Sequence, residues 1–151
     1  MTSMDFQLVF ECCSSRLAVL DENFVIRAAT QSYLESVHRT KEDIIDKCVF
    51  EAFLNNTDGS VALRVALNSV ISTAKNAALP SLRYDIIIDG KLEERWWQTD
   101  FTPVIKDGNV KFITIMVEDI TELRSMVHAL RQYKSNSLVE LAKLTAKLKL
   151  P

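Results

Sequence analysis

Three cysteines, two histidines and a scatter of carboxylates are the side chains that could do chemistry here, and their spacing argues against most of it. Cys12 and Cys13 are adjacent, Cys48 stands apart, and His38 and His128 lie far from each other in the chain. No pair has the short spacing of a zinc ligand set. An odd number of cysteines, two of them neighbours, implies no disulfide framework. They read as reduced thiols packed like small hydrophobes. Only three glycines occur, none near another, so there is no phosphate-cradling loop and no dinucleotide fingerprint. No Gly-x-Ser-x-Gly elbow offers a nucleophile. Asp85, Glu94 and Asp100 fall on predicted strands without an assignable partner, and most other carboxylates sit in turns or at helix starts. The pattern speaks against an enzyme.

The elements come from periodicity and turn chemistry. Phe6, Val9, Phe10 and Cys13 fall at i, i+3, i+4 and i+7, one face of a short amphipathic helix. Two strands follow, around Leu17–Leu20 and Phe24–Ala29, joined by a polar turn. Thr30 is placed to cap a short helix carrying Tyr33, Leu34 and Val37. Thr40-Lys-Glu-Asp43 has capping-box form and starts a second. Val49-Phe-Glu-Ala-Phe-Leu gives a third, and 55–60, with Gly59, reads as a loop. From Ser60 to about Ala77 a long helix is predicted, with Leu63, Leu67, Val70, Ile71 and Ala74 as one stripe and Pro80 barring its continuation. Three strands come next, at Leu82–Ile88, at Glu93–Ile105 and from Val110 onward. Asp89-Gly90 and Asp107-Gly108 supply their hairpin turns, and Pro103 marks an edge or the end of pairing. Ile86-Ile-Ile and Phe112–Val117 are apolar at nearly every position, which predicts that both faces of those strands are covered, one by the helices and the other by the N-terminal helix or a second subunit.

The last helix carries a seam. Leu123, Val127, Leu130, Lys134, Ser137, Leu141, Leu144 and Leu148 follow by alternating steps of four and three, and all but Lys134 and Ser137 are apolar. That is coiled-coil spacing, interrupted once. Residues 124–151 hold six basic side chains and one acidic, against 12 and 19 in residues 1–123. Without interleaved aromatics this reads as a solvated helix face, so no nucleic-acid partner is expected. No apolar run is long enough to span a bilayer, and no basic region precedes an apolar stretch at the N-terminus. The expectation is a cytoplasmic protein with no membrane partner, organised as a cap helix (1–14), an α+β core (15–121) and a coiled-coil helix (122–151).

Several stretches, in this order, resemble a PAS domain. Val19-Leu-Asp-Glu-Asn-Phe-Val-Ile-Arg-Ala-Ala is similar to its opening hairpin. Tyr33-Leu-Glu, Glu42-Asp-Ile-Ile-Asp-Lys and Val49-Phe-Glu-Ala-Phe are similar to its short-helix region. Arg95-Trp-Trp-Gln-Thr-Asp-Phe-Thr-Pro-Val and Val117-Glu-Asp-Ile-Thr-Glu-Leu are similar to its last strands and exit. The likeness spans about residues 5 to 123, and its variant resembles domains at the front of bacterial sensor histidine kinases. Two positions depart from it: Thr30 stands where asparagine is common, and Asp46 where glycine is common.

The resemblance implies a five-stranded antiparallel sheet with helices on one face, and a sensing and dimerising role. It implies an apolar pocket between sheet and long helix, either holding an unidentified small ligand or filled by side chains. Tyr33, Phe50, Phe53, Leu67, Ile71, Tyr84, Trp97, Phe101 and Ile115 are its expected wall. No cofactor is predicted, since the long helix carries no histidine for haem and Cys48 lacks the Asn-Cys-Arg setting of light-sensing flavin relatives. Asp119 and Thr121 are expected to relay a signal into the exit helix, with Arg95 pairing Asp119. A homodimer is expected through Phe6, Val9 and Phe10 and through Leu123, Val127, Leu130, Leu141, Leu144 and Leu148. A downstream effector such as a kinase completes the expected partners.

Overall fold

The computed structural model describes residues 3–53 and 57–148. Residues up to Ile120 form one unit and those from Thr121 a second. Within the first, α1 (Phe6–Glu11) opens at Asp5, whose carboxylate accepts the Leu8 N–H at 3.0 Å. Strands β1 (Leu17–Asp21) and β2 (Ile26–Ala29) form the first hairpin. Short helices α2 (Gln31–Val37), α3 (Lys41–Ile44) and α4 (Val49–Ala52) lead to the long α5 (Thr57–Thr73). Strand β3 (Ala77–Arg83), the ribbon β4 (Ile86–Ile88) and β5 (Lys91–Glu93), and the long pair β6 (Trp96–Lys106) and β7 (Asn109–Asp119) complete the unit. The sheet is antiparallel and five-stranded, ordered β2-β1-β7-β6-β3, an α+β fold with β7 paired on both sides.

Local chemistry explains the short helices. The Thr30 side chain accepts from Tyr33 N–H and Leu17 N–H, both at 3.1 Å, and donates to Ser15 O at 2.7 Å. One buried hydroxyl thus caps α2 and ties it to the start of β1. At α3 the Asp43 carboxylate accepts the Thr40 N–H at 2.9 Å, closing the expected capping box. Asp46 adopts φ +64°, a left-handed conformation that suits glycine, and its carboxylate pairs with Arg27 at 2.8 Å.

Several predicted boundaries move. The helix expected to reach Ala77 ends at Thr73, with Ala74 turning left-handed at φ +53°, well before Pro80. The loop expected over 55–60 lies partly outside the described residues, and its second half, from Thr57, is already helical. Gly59 is therefore a helix residue. A Cβ there would strike the Arg83 carbonyl oxygen and stand 2.9 Å from the Tyr84 ring, so glycine permits close approach of α5 to the end of β3. The strand expected over Leu82–Ile88 breaks at Tyr84-Asp85. The Asp85 carboxylate binds the Arg83 guanidinium at 3.2 Å and accepts the Arg95 N–H at 3.2 Å, which draws the chain out of the ladder. Asp89-Gly90 therefore turns the small ribbon and joins no main strands. Asp107-Gly108 does join β6 to β7, with φ +53° and +80°, the paired positive values of a tight hairpin. Pro103 sits inside the β6–β7 pairing, opposite Ile113, while pairing of β6 with β3 stops at Phe101.

Leu20, Ile26, Ile44, Leu67, Val70, Phe101 and Ile113 are fully buried between sheet and helices. Of the two covers expected for the outer face of β4 and β7, the N-terminal helix and a second subunit, the helix leaves Ile87 and Met116 40% and 44% exposed. In the single chain the unbroken apolar runs of these strands have one face on the core and one on solvent.

The second unit is α6 (Thr121–Leu148), 28 residues long with no buried residue. No helix among the described residues is long and apolar enough to cross a membrane.

Candidate functional site

The inward side chains of β6 and β7 alternate along both strands. Trp97, Thr99 and Phe101 face the helices from β6, and Ile113, Ile115 and Val117 from β7, with Phe101 opposite Ile115, Thr99 opposite Val117 and Trp97 opposite Asp119. Towards Phe101 and Ile113 the core is closed. Towards Trp97 it opens into a cavity of about 60 Å³, lined by Trp97, Thr99, Ile115 and Val117 from the sheet. Leu82, Tyr84 and Ile86 close it from β3 and the ribbon, and Tyr33, Val37, Val49, Phe53 and Leu63 from the helices.

Hydrogen bonds fix the rings around this space. Trp97 Nε1–H donates to Tyr84 O at 2.8 Å. Tyr84 Oη donates to Phe53 O at 3.1 Å and lies 3.2 Å from Ser60 Oγ. The Phe53 and Tyr84 rings meet edge to face at 6.3 Å. Burial raises the Tyr84 phenol above its ordinary pKa, and raises that of Tyr33 further. The Thr99 hydroxyl, in a residue 2% exposed, has no hydrogen-bond partner among the described residues.

Of the nine residues expected in the wall, Tyr33, Phe53, Tyr84, Trp97 and Ile115 surround the cavity. Four do not. Leu67 and Phe101 are fully buried in the closed part of the core. Ile71 is 37% exposed, because the helix face turns past the sheet. Phe50 packs edge to face on Phe24 at 6.2 Å, under the Arg64 guanidinium at 4.0 Å. Sequence reasoning missed Val37, Val49, Leu63, Leu82, Ile86, Thr99 and Val117. Thr99 and Val117 were findable, since each lies two residues from an expected inward position.

The space is small. It measures about 60 Å³, against the ~150 Å³ of a cavity that holds a benzene. No cluster of three or more His, Cys, Asp or Glu among the described residues could hold a metal ion.

The strand end beside the cavity is also the chain's exit from the sheet. Ile120 N–H donates to Trp96 O at 2.8 Å. Arg95 Nε lies 3.4 Å from an Asp119 carboxylate oxygen, and Arg95 also pairs with Glu93 at 2.9 Å. Thr121 is the first residue of α6. Of the expected interface residues, Phe6 and Val9 are exposed, Phe10 is half-buried, and Leu123, Val127, Leu130, Leu141, Leu144 and Leu148 are all exposed.

A family model for the PAS fold matches residues 12–125, and the chain belongs to that family. No curated protein matches it by sequence. Among solved structures it is similar to the PAS domain of a protein from Colwellia psychrerythraea, with 16% identity and a TM-score of 0.63 over 76% of this chain and 93% of that one. It is similar to the PAS domain of BvgS from Bordetella pertussis, with 18% identity and a TM-score of 0.55 over 87% and 95%. A third likeness is to the Rhodobacter sphaeroides LOV protein, with 15% identity and a TM-score of 0.62 over 76% of this chain and 64% of that one. At these identities the structures attest the fold, and the family makes this a PAS sensory domain.

Proposed function

We propose that this domain is the non-catalytic, cytoplasmic input of a signalling protein. What occupies its cavity is passed through the β6–β7 exit into α6 and on to a downstream effector such as a histidine kinase. The observation that carries the reading is the strand register. Trp97, a wall residue of the cavity, lies opposite Asp119, and Asp119 pairs with Arg95 two residues before α6 begins. A change of side-chain packing at Trp97 therefore has a short path to the last residues before the helix. The spacing of Leu123, Val127, Leu130, Leu141, Leu144 and Leu148 supports a parallel homodimer along α6. Exposed Phe6 and Val9 on α1, with Met116 on the outer sheet face, offer further apolar surface to a second copy.

The test is a chimaera of residues 1–151 ahead of a histidine-kinase catalytic core, with Asp119→Ala, Arg95→Ala and the double variant. A half-exposed pair of this kind, 24% and 37% accessible, is worth on the order of 1 kcal/mol to stability, so melting should change little. Basal kinase output should shift several-fold in each single variant, without adding in the double. Unchanged output in all three would make the pair a local brace and reject the relay. Sedimentation of the unmodified domain should show a dimer that Phe10→Glu or Leu141→Asp weakens, and a monomer at tens of micromolar would reject the self-association.

A further inference from the structure

The cavity has walls of one chemistry and a single orphaned polar group. Among the described residues no Asp, Glu, Lys, Arg or His lines it. The Thr99 hydroxyl is buried and has no partner among the described residues, which a folded protein tolerates poorly unless something else supplies the bond. Tyr33 also lines the space, and burial holds its phenol protonated. Trp97 and Tyr84, the other polar-tipped rings, already have their bonds. The space of about 60 Å³ has room for roughly four to six heavy atoms, at about 10–15 Å³ for each probe-sized sphere. Water fills such a space badly. Each buried water needs about two to four polar partners, and Thr99 and Tyr33 offer too few for a cluster, while a single water leaves most of the apolar wall without contacts.

We propose that the cavity binds a small, neutral, hydroxyl-bearing organic molecule, of the size of a two- or three-carbon alcohol or diol, with its oxygen on Thr99 Oγ1 and its carbons against Ile115, Val117 and Leu63. The molecule is neutral because a carboxylate or ammonium would enter without a counter-charge. The proposal names the input chemistry of the sensor described above and rests on that reading for its purpose. Binding is measured without any output domain, so it and the relay fail separately.

The experiment is a ¹H–¹⁵N titration of the 151-residue chain with propan-1-ol, ethylene glycol, sodium acetate and xenon, repeated on Thr99→Val and Thr99→Ser. Propan-1-ol and ethylene glycol should give saturable shifts centred on the amides of Tyr33, Thr99 and Ile115, and acetate none. Thr99→Val should weaken both hydroxylic probes by about three- to tenfold, the worth of one neutral hydrogen bond, and leave xenon binding unchanged. Thr99→Ser should keep the hydroxylic probes, and it decides the matter if the valine variant does not fold. Equal alcohol binding by native and Thr99→Val protein would overturn the proposal. So would xenon binding with no alcohol binding, or a lone water on Thr99 that propan-1-ol does not displace.

Discussion

The two halves of one core differ. Around Leu67, Phe101 and Ile113 the packing closes completely, and these side chains have no exposure. A few residues along the same strands, around Trp97, Thr99 and Ile115, it leaves about 60 Å³ open. The closed half is built from branched aliphatic side chains and one phenylalanine, which have no polar atoms to satisfy and can settle into one another. The hollow half adds three rings with polar tips, Tyr33, Tyr84 and Trp97, to a largely aliphatic wall. Trp97 is held by its bond to Tyr84 O, and Tyr84 by its bond to Phe53 O, so neither ring can move inward without losing a buried hydrogen bond. Gly59 lets α5 come close to Tyr84 and fixes the ring from behind. A void in a protein interior therefore need not be a packing failure. Here it is maintained by the bonding requirements of its walls.

The largest expected effect tests the closed half. Leu67→Ala should destabilise the domain by about 2–5 kcal/mol in urea unfolding, because its neighbours cannot collapse into the space. Leu63→Ala, one helical turn away and facing the cavity, should fall at the bottom of that range, since one side of Leu63 already lacks contact atoms. Equal losses at the two leucines would break the comparison.

A smaller effect, with a change of sign, sharpens it. Val70→Ile adds a methylene to the closed half and should destabilise by about 1–3 kcal/mol through overpacking. Val37→Ile adds the same group at the cavity wall and should stabilise by about 0.8 kcal/mol, the value of one buried methylene. Thermal unfolding of the two variants reads both signs. If Val37→Ile also destabilises, the cavity is not free to accept atoms.

How much of this was legible in the sequence follows the range of the interactions. The Thr30 cap, the Thr40–Asp43 box and the Asp107-Gly108 turn are set by residues within a few positions, and all three form as read. Trp97, Phe101 and Ile115 turn inward as the strand alternation requires. Gly59 was misread because its reason lies in Arg83 and Tyr84, far along the chain. The strand break at Asp85 depends on Arg95 arriving from the β5–β6 connection, ten residues on. Leu67, Ile71, Phe50 and Phe101 fall outside the wall because the resemblance marks apolar residues near the pocket region. It does not say how far along the strands the cavity lies or how α5 is rotated above it. Thr99 was passed over because it is polar, although its neighbours two residues away were both chosen.

The smallest expected effect is at Tyr33, on the hollow side. Tyr33→Phe removes one hydroxyl at the cavity wall and should change stability at neutral pH by less than about 0.5 kcal/mol. Alkali should separate the two proteins. An unfolded tyrosine loses its proton near pH ~10, whereas burial raises the Tyr33 pKa in the folded domain. Between those two values the unfolded chain binds fewer protons than the native one, and stability falls as pH rises. The contribution is whole below the unfolded value and is lost progressively on the way up to the folded one. Tyr84 shifts in the same direction, so Tyr33→Phe should shallow the alkaline limb and not abolish it. Urea midpoints collected from pH ~8 to ~11 measure the slope. An unchanged slope would mean that the Tyr33 phenol reaches water in the folded protein, and that the hollow half of the core is open to solvent.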